Sequence, residues 1–404
     1  MTRSAAEPPI AKPSFIALLI GVAAVSPLGI NMYLPSMPGM ARAFGVEYTT
    51  IQLTLSLYLA AMAVGQLIVG SLSDRFGRRP VLLTGLLVFV LGSFVCLSAQ
   101  NVGVLIAGRV VQAVGGCAGI TLSRAIVRDL YGRNQVASMI GYVTMGMAVA
   151  PMLAPTIGGV LDTLYGWRAS FAFLMAFGGL ALLFAFRSLP ETNRNRGEAV
   201  PMGELWLSYR SLVRSRLFWG YTLAAGFTSA VFFSFLAGAP YVMIELMGRS
   251  PAEYGFYFAM VPSGYILGNF LTGRFAARIG PNRMILTGTL TVLVSVSAMA
   301  AAFAAGILHP VALFAPMFFI GVGNGLVLPS GIAGAVSVNP EVAGAAAGLS
   351  GSLQIGFGAL VAPLIGALLS TTVWPLIAIM AASSLLAIAS FGLIAGQRKA
   401  ASDS

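Results

Sequence analysis

The chain has 404 residues, of which 58% are hydrophobic and only 9% charged, with a mean hydropathy of +0.89. An ordinary soluble protein is roughly a quarter charged, so this chain lacks the charge to cover a soluble surface, which excludes a soluble enzyme, a nucleic-acid-binding module and a disordered protein. The apolar runs are continuous over about 20 residues rather than alternating, which excludes a membrane β-barrel and leaves an all-α, polytopic membrane protein.

Twelve apolar segments follow one another at about 14–35, 50–71, 80–99, 103–126, 136–160, 169–188, 218–242, 253–275, 283–305, 309–332, 342–367 and 373–395. Each is long enough to cross ~30 Å of hydrocarbon at about 1.5 Å per residue. The first is read as an uncleaved helix, because it is too long for a signal peptide and eleven more follow. The net charge is +11, carried by 21 Arg and 2 Lys against 12 acids. With both termini cytoplasmic, only Arg42, Arg168 and Arg249 fall on the outer side, Arg109 and Arg124 lie within the fourth segment, and the other 18 face inward. That bias fixes the expected orientation.

The stretch 189–217 is too polar to span. It separates an expected N-terminal six-helix bundle (1–188) from a C-terminal one (218–404), and its last part, about 203–217, reads as an amphipathic surface helix. The halves repeat: Gly65, Gly70, Arg75 and Gly77 recur 203 residues later as Gly268, Gly273, Arg278 and Gly280. Pro155 and Gly158 recur as Pro363 and Gly366, 208 residues on. A parallel repeat of this kind places a binding site near mid-membrane between the halves.

The segment from Gly65 to Pro80 carries Gly70, Asp74, Arg75, Gly77, Arg78 and Arg79 at the junction of the second and third segments. Gly65 and Gly70 permit close helix contact, Asp74 can hold a neighbouring Arg or a helix N-terminus, Gly77 suits a tight turn, and Pro80 suits a first helical turn. It resembles the signature of the major facilitator superfamily, in which this loop latches the cytoplasmic ends of the two halves. Ala277 stands where a second acid would be, so the resemblance implies a single carboxylate latch, with Arg124, Arg128 and Asp129 at the same end.

Further stretches run in order: Asn31 to Pro38, Arg109 to Gly115, Arg124 to Tyr131, Ala150 to Gly159 and Gly166 to Arg168. Together they resemble the bicyclomycin- and chloramphenicol-resistance group of drug:proton antiporters. The resemblance implies two pseudo-symmetric six-helix bundles and a secondary transporter rather than an enzyme. It also implies a small-molecule substrate, a possible proton partner, no cofactor and a monomer in the bilayer. In the family the glycine- and proline-rich fifth segment, with Pro151, Pro155, Gly158 and Gly159, accompanies export. Gly264 and Gly268 of the eighth segment are its expected small counterparts.

Arg109 and Arg124 are costly in a membrane helix. They are 15 residues apart, about 60° and roughly 22 Å along a helix. Arg109 and Asn31 are expected at similar depth, meeting across a cavity, with Gln112 one turn away. Relatives usually carry Asp where Asn31 stands, and no carboxylate falls in the central half of any segment, so proton coupling is altered or uses an acid at a helix end. His309 is read as interfacial. An uncompensated Arg109 favours a polar or anionic substrate.

Residues 218–270 hold 14 of the 41 aromatics, and Phe227, Phe232, Phe233, Phe235, Tyr241, Phe256, Tyr257, Phe258 and Tyr265 are candidates for a wall against a planar ligand, with Tyr33 of the first segment a further cavity candidate. Asn324 and Gln354 are candidate cavity hydrogen-bonders, or glue between helices. Cys96 and Cys117 lie inside apolar runs, and Met243 and Met247 have no accompanying His, so no metal site is expected. The leading expectation is proton-linked efflux of small organic solutes. The alternative is import of a polar planar metabolite, riboflavin-like in character. No P-loop pattern is present, so nucleotide-driven transport is disfavoured.

Overall fold

The computed structural model describes residues 13–130, 133–193, 209–339, 342–369 and 372–402. Helices α1 (Pro13–Asn31), α2 (Met37–Phe44), α3 (Tyr48–Phe76), α4 (Arg78–Leu97), α5 (Val102–Leu130), α6 (Arg133–Tyr165) and α7 (Arg168–Ser188) build the first bundle. The second contains α8 (Arg216–Tyr241), α9 (Pro251–Phe258), α10 (Met260–Ile279), α11 (Pro281–Ala304), α12 (Pro310–Ser337), α13 (Ala343–Leu368) and α14 (Trp374–Ser402). Among the described residues there is no strand, and ten helices are long and apolar enough to cross a membrane. Helix α6, and α9 continued by α10, fill the places of the fifth and eighth apolar segments, consistent with twelve crossings.

Prolines explain where apolar runs and helices part company. The first run was expected to continue to residue 35, but α1 stops at Asn31, and Leu34–Ser36 form a 3₁₀ turn before α2. Pro35 and Pro38 have no N–H to extend the ladder. Helix α9 ends at Phe258 because Pro262, four residues on, cannot donate to its carbonyl. The seventh run closes in a π turn over Val242–Leu246, just after Pro240. Of the expected surface helix at 203–217, residues 203–208 lie outside the described residues. Residues 209–213 are helical, and Leu212 is buried against Phe218 and Tyr221.

The sequence repeat has a backbone counterpart. Gly77 (φ 101°, ψ 155°) and Gly280 (φ 85°, ψ 153°) each separate two long helices in a conformation that L side chains rarely adopt. Close helix packing uses small residues within each bundle. A Cβ on Gly115 of α5 would run into the backbone of Gly85 and Phe89 in α4. Gly264 and Gly268 of α10 do not pair with the fifth segment as expected. They lie under the Phe318 and Val322 carbonyls of α12.

Candidate functional site

The bundles meet at one end and part at the other. At the arginine-poor end, Tyr48 Oη donates to the Ala237 carbonyl at 2.9 Å and Thr49 Oγ1 to the Gly366 carbonyl at 2.8 Å. Gln52 Nε2 also donates to Ala237, and Thr156 Oγ1 donates to the Gly255 carbonyl at 2.7 Å. Arg42 and Glu245 form an ion pair across the same seam, and the Tyr48 and Tyr241 rings lie 4.9 Å apart. A Cβ on Gly159 would strike the Pro251 carbonyl, and one on Gly255 the Pro155 carbonyl. The partner of the fifth segment is thus Gly255.

At the arginine-rich end the same faces are open. Gly366 of α13 is pressed against Thr49 and Gln52, but a Cβ added at Gly344, Gly348, Gly351 or Gly356 meets nothing within 4 Å. The same holds for the repeat-related Gly70 and Gly273. The bundles are therefore tied by hydrogen bonds at the arginine-poor end, and the α13 glycines at the other end leave room for a cleft between them.

Arg109 does not line this cleft as expected. It has no exposed surface, and its guanidinium carbon lies 4.1 Å from the ring centroids of both Tyr33 and Tyr58. Its Nη1 donates to Gln112 Oε1, Nε approaches the Thr54 carbonyl at 3.5 Å, and Gln112 Nε2 donates to Ser93 Oγ at 2.7 Å. Stacked rings supply negative potential where no carboxylate is available. Tyr33 and Gln112 are equally buried, so these three residues form a closed polar core within the first bundle. Asn31 does not meet Arg109 by any hydrogen bond. Its Nδ2 turns back to the Pro27 carbonyl at 2.7 Å, leaving Oδ1 buried without a partner.

The other predicted binding residues separate. Asn324 donates to Ile320 of its own helix at 3.1 Å and Gln354 to Ser350 of its own helix at 3.4 Å, both buried. The aromatic wall divides. Phe235 and Phe258 pack with Tyr254 and Phe314 in the second-bundle core, and Phe256 is exposed. Phe232, Tyr241, Tyr257 and Tyr265 remain half-buried. His309 caps α12, its Nδ1 accepting from the Val311 N–H at 3.2 Å.

The predicted latch is gathered around Arg78, inside the first bundle. Arg78 pairs with Asp74 at 2.6 Å and with Asp129 at 2.9 Å, and it also donates to Ser73 Oγ. Glu191, where the chain leaves α7, accepts from the Arg78 N–H at 2.9 Å and the Arg79 N–H at 3.2 Å, satisfying free donors at the start of α4. Asn193 Nδ2 donates to the Asp74 carbonyl at 2.9 Å. The latch therefore ties α3, α4, α5 and the linker start together rather than joining the bundles. Arg75 lies over its neighbour Phe76, and Arg124 and Arg128 are exposed. Pro151 and Pro155 lie inside α6, which continues through both, and Gly158 is pressed against the Met32 carbonyl.

Sequence reasoning missed the seal at the arginine-poor end. Its signal was weak but present: Tyr48, Thr49 and Gln52 put three hydrogen-bonding side chains in the first turns of a long apolar helix.

Comparison with known proteins agrees with this architecture. Residues 19–250 match the model of the Major Facilitator Superfamily. The chain is 30% identical over 391 residues to the bicyclomycin resistance protein homolog of Haemophilus influenzae, covering 94% of this chain and 96% of that one. It is 34% identical over 315 residues to a chloramphenicol resistance protein of Pseudomonas aeruginosa, covering 78% and 72%. Among solved structures, a variant of the peptide transporter POT superposes with a TM-score of 0.78 at 16% identity, covering 95% of this chain and 94% of that one. The chain belongs to the Major Facilitator Superfamily of membrane transporters, in the group of the bicyclomycin- and chloramphenicol-resistance proteins.

Proposed function

We propose that this transporter exports small organic solutes by alternating access, in exchange for protons, across a bacterial inner membrane. The observation that carries the reading is the contrast between the two ends of one interface. Side chain-to-carbonyl hydrogen bonds tie α3 to α8 and α13 at the arginine-poor end, while the α13 glycines face open space at the other. Two bundles that rock about such an interface expose a site to one side at a time. The units are residues 1–188 and 218–404, joined by 189–217, and a monomer suffices because both walls of the cleft come from one chain. With the arginine-rich end and both termini in the cytoplasm, the conformation is inward-open.

The resistance phenotypes named for the relatives support export over the uptake of a riboflavin-like metabolite. Half-buried Phe232, Tyr241 and Tyr257 are assigned to the solute-facing surface, and Arg109 to a supporting core behind it. Purified protein in liposomes tests this: chloramphenicol or bicyclomycin added to one side should evoke a proton flux that an uncoupler abolishes. Solute movement with no accompanying proton flux would refute the coupling, and no solute movement would refute the export reading.

A further inference from the structure

We propose that Arg124 and Arg128 form an anion-recognition track on the wall of the cleft, selecting solutes that bear a carboxylate, sulfonate or phosphate group. The proposal deepens the transport reading and rests on it. Both arginines are exposed, and neither has a hydrogen bond or ion pair among the described residues. Arg124 lies six residues from the end of α5, about 9 Å inside it. A cation at that depth ordinarily finds an acid.

Its direction follows from its neighbours on α5. Ser123 Oγ donates to the Leu19 carbonyl of α1 at 3.2 Å, and Cys117 packs on Gly65 of α3. Arg124 is about 100° around the helix from Ser123 and within about 20° of Cys117. It therefore projects between α1 and α3, nearer the α3 side. Tyr265, on α10 of the second bundle, is within electrostatic range of it. Arg128 follows one turn later on nearly the same face, about 6 Å nearer the open end.

No carboxylate competes for this pair among the described residues. Asp74 and Asp129 are held by Arg78, Glu191 by the start of α4, Glu245 by Arg42, and Glu253 by Ser250 and Arg249. Asp162 lies beside Ser36 and Arg42 at the sealed end, and Glu47 precedes α3 there. Two like charges one turn apart on a helix repel, and two planar forks with free donors suit an anionic oxygen cluster.

The experiment measures binding to purified protein in nanodiscs with three probes of one shape: naphthoate, naphthamide and naphthylmethylammonium. The track predicts that naphthoate binds at least about tenfold more tightly than the cation. In Arg124→Gln the naphthoate-to-naphthamide affinity ratio should fall about tenfold, and in Arg124→Lys by less. Arg128→Gln should lower it roughly threefold and flatten its salt dependence. A ratio unchanged in Arg124→Gln, equal binding of the cation by the parent protein, or no binding of naphthoate at all would overturn the proposal. A thermal melt checks that each variant is folded. Transport is read separately in liposomes: solute movement without anion preference sinks the track alone, whereas anion binding without movement sinks the transport reading alone.

Discussion

The Arg109 guanidinium is held between Tyr33 and Tyr58, 4.1 Å from each ring centroid, with no carboxylate bonded to it. A desolvated cation–π contact contributes about 2 kcal/mol or more. Removing the cation also strips Gln112 Oε1 of its donor, which costs about 1–3 kcal/mol for a buried acceptor. Arg109→Met should therefore destabilise the first bundle by about 3–5 kcal/mol, read as a lower melting temperature in detergent. Tyr58→Leu should cost less, and the two changes should couple by about 1–2 kcal/mol in a double-mutant cycle. Strict additivity would show that the ring contact contributes nothing. Arg109→Lys should retain only part of the stability, since a point charge cannot reach Gln112 and lie flat on two rings at once.

The latch residues are expected to rank by burial. The Asp74 side chain is 44% exposed, whereas that of Arg78 is 6% exposed. Asp74→Asn weakens one screened pair, about 0–1 kcal/mol. Arg78→Gln leaves Asp129 without its cation in a partly buried site and should cost about 3 kcal/mol. Melting temperatures should fall in the order Arg78→Gln, then Asp129→Asn, then Asp74→Asn. Asp74→Asn should slow the transport cycle in folded protein, and parental transport rates would remove Asp74 from the cycle.

How far the site was legible depends on the range of the physics involved. Segment count and fold class follow from composition, and the Gly77 and Gly280 turns follow from local chemistry. The place where α9 gives way to α10 is local too, since Pro262 lacks a donor, but a hydropathy window smooths over it. Arg109 is misplaced by sequence alone because depth along α5 is set by rise per residue, whereas the side it faces depends on Tyr33 from the turn after α1 and Tyr58 from α3. The Gly159–Pro251 and Gly255–Pro155 approaches were invisible for the same reason. A sequence identifies a small residue but does not name the backbone that will press on it.

Those approaches yield a conformational prediction. An extra methyl at Gly159 or Gly255 must push the bundles apart at the sealed end, where the obstacle is a backbone carbonyl. Overpacking of this kind costs about 1–3 kcal/mol, enough to shift the two-state balance about fivefold to a hundredfold. Gly159→Ala and Gly255→Ala should make a Thr49→Cys label at the sealed end more reactive and a Gly351→Cys label in the cleft less so. Gly264→Ala is the contrast. Its obstacle is the Phe318 carbonyl within the second bundle, so it should lower the melting temperature without changing the labelling ratio. Parallel behaviour of all three variants would mean that the seal is not a gate.

Asn31 offers the last test. Its amide donates to the Pro27 carbonyl at 2.7 Å, and its Oδ1 is buried without a partner. In Asn31→Asp, a neutral acid can make the same donation, but a carboxylate has no proton to give and would face the carbonyl oxygen. The ionised form is therefore penalised here, both by lost hydrogen bonding and by burial. The inward-open state of the variant should be favoured at low pH and lost as the acid ionises, whereas the parent amide has nothing to titrate at this position. Labelling of Gly351→Cys across a pH series, with Asn31 and with Asn31→Asp, reads this directly. A variant whose labelling changes with pH no more than the parent's would show that the Asn31 side chain leaves Pro27 when the acid is introduced, and that this end of α1 does not bias the conformational balance.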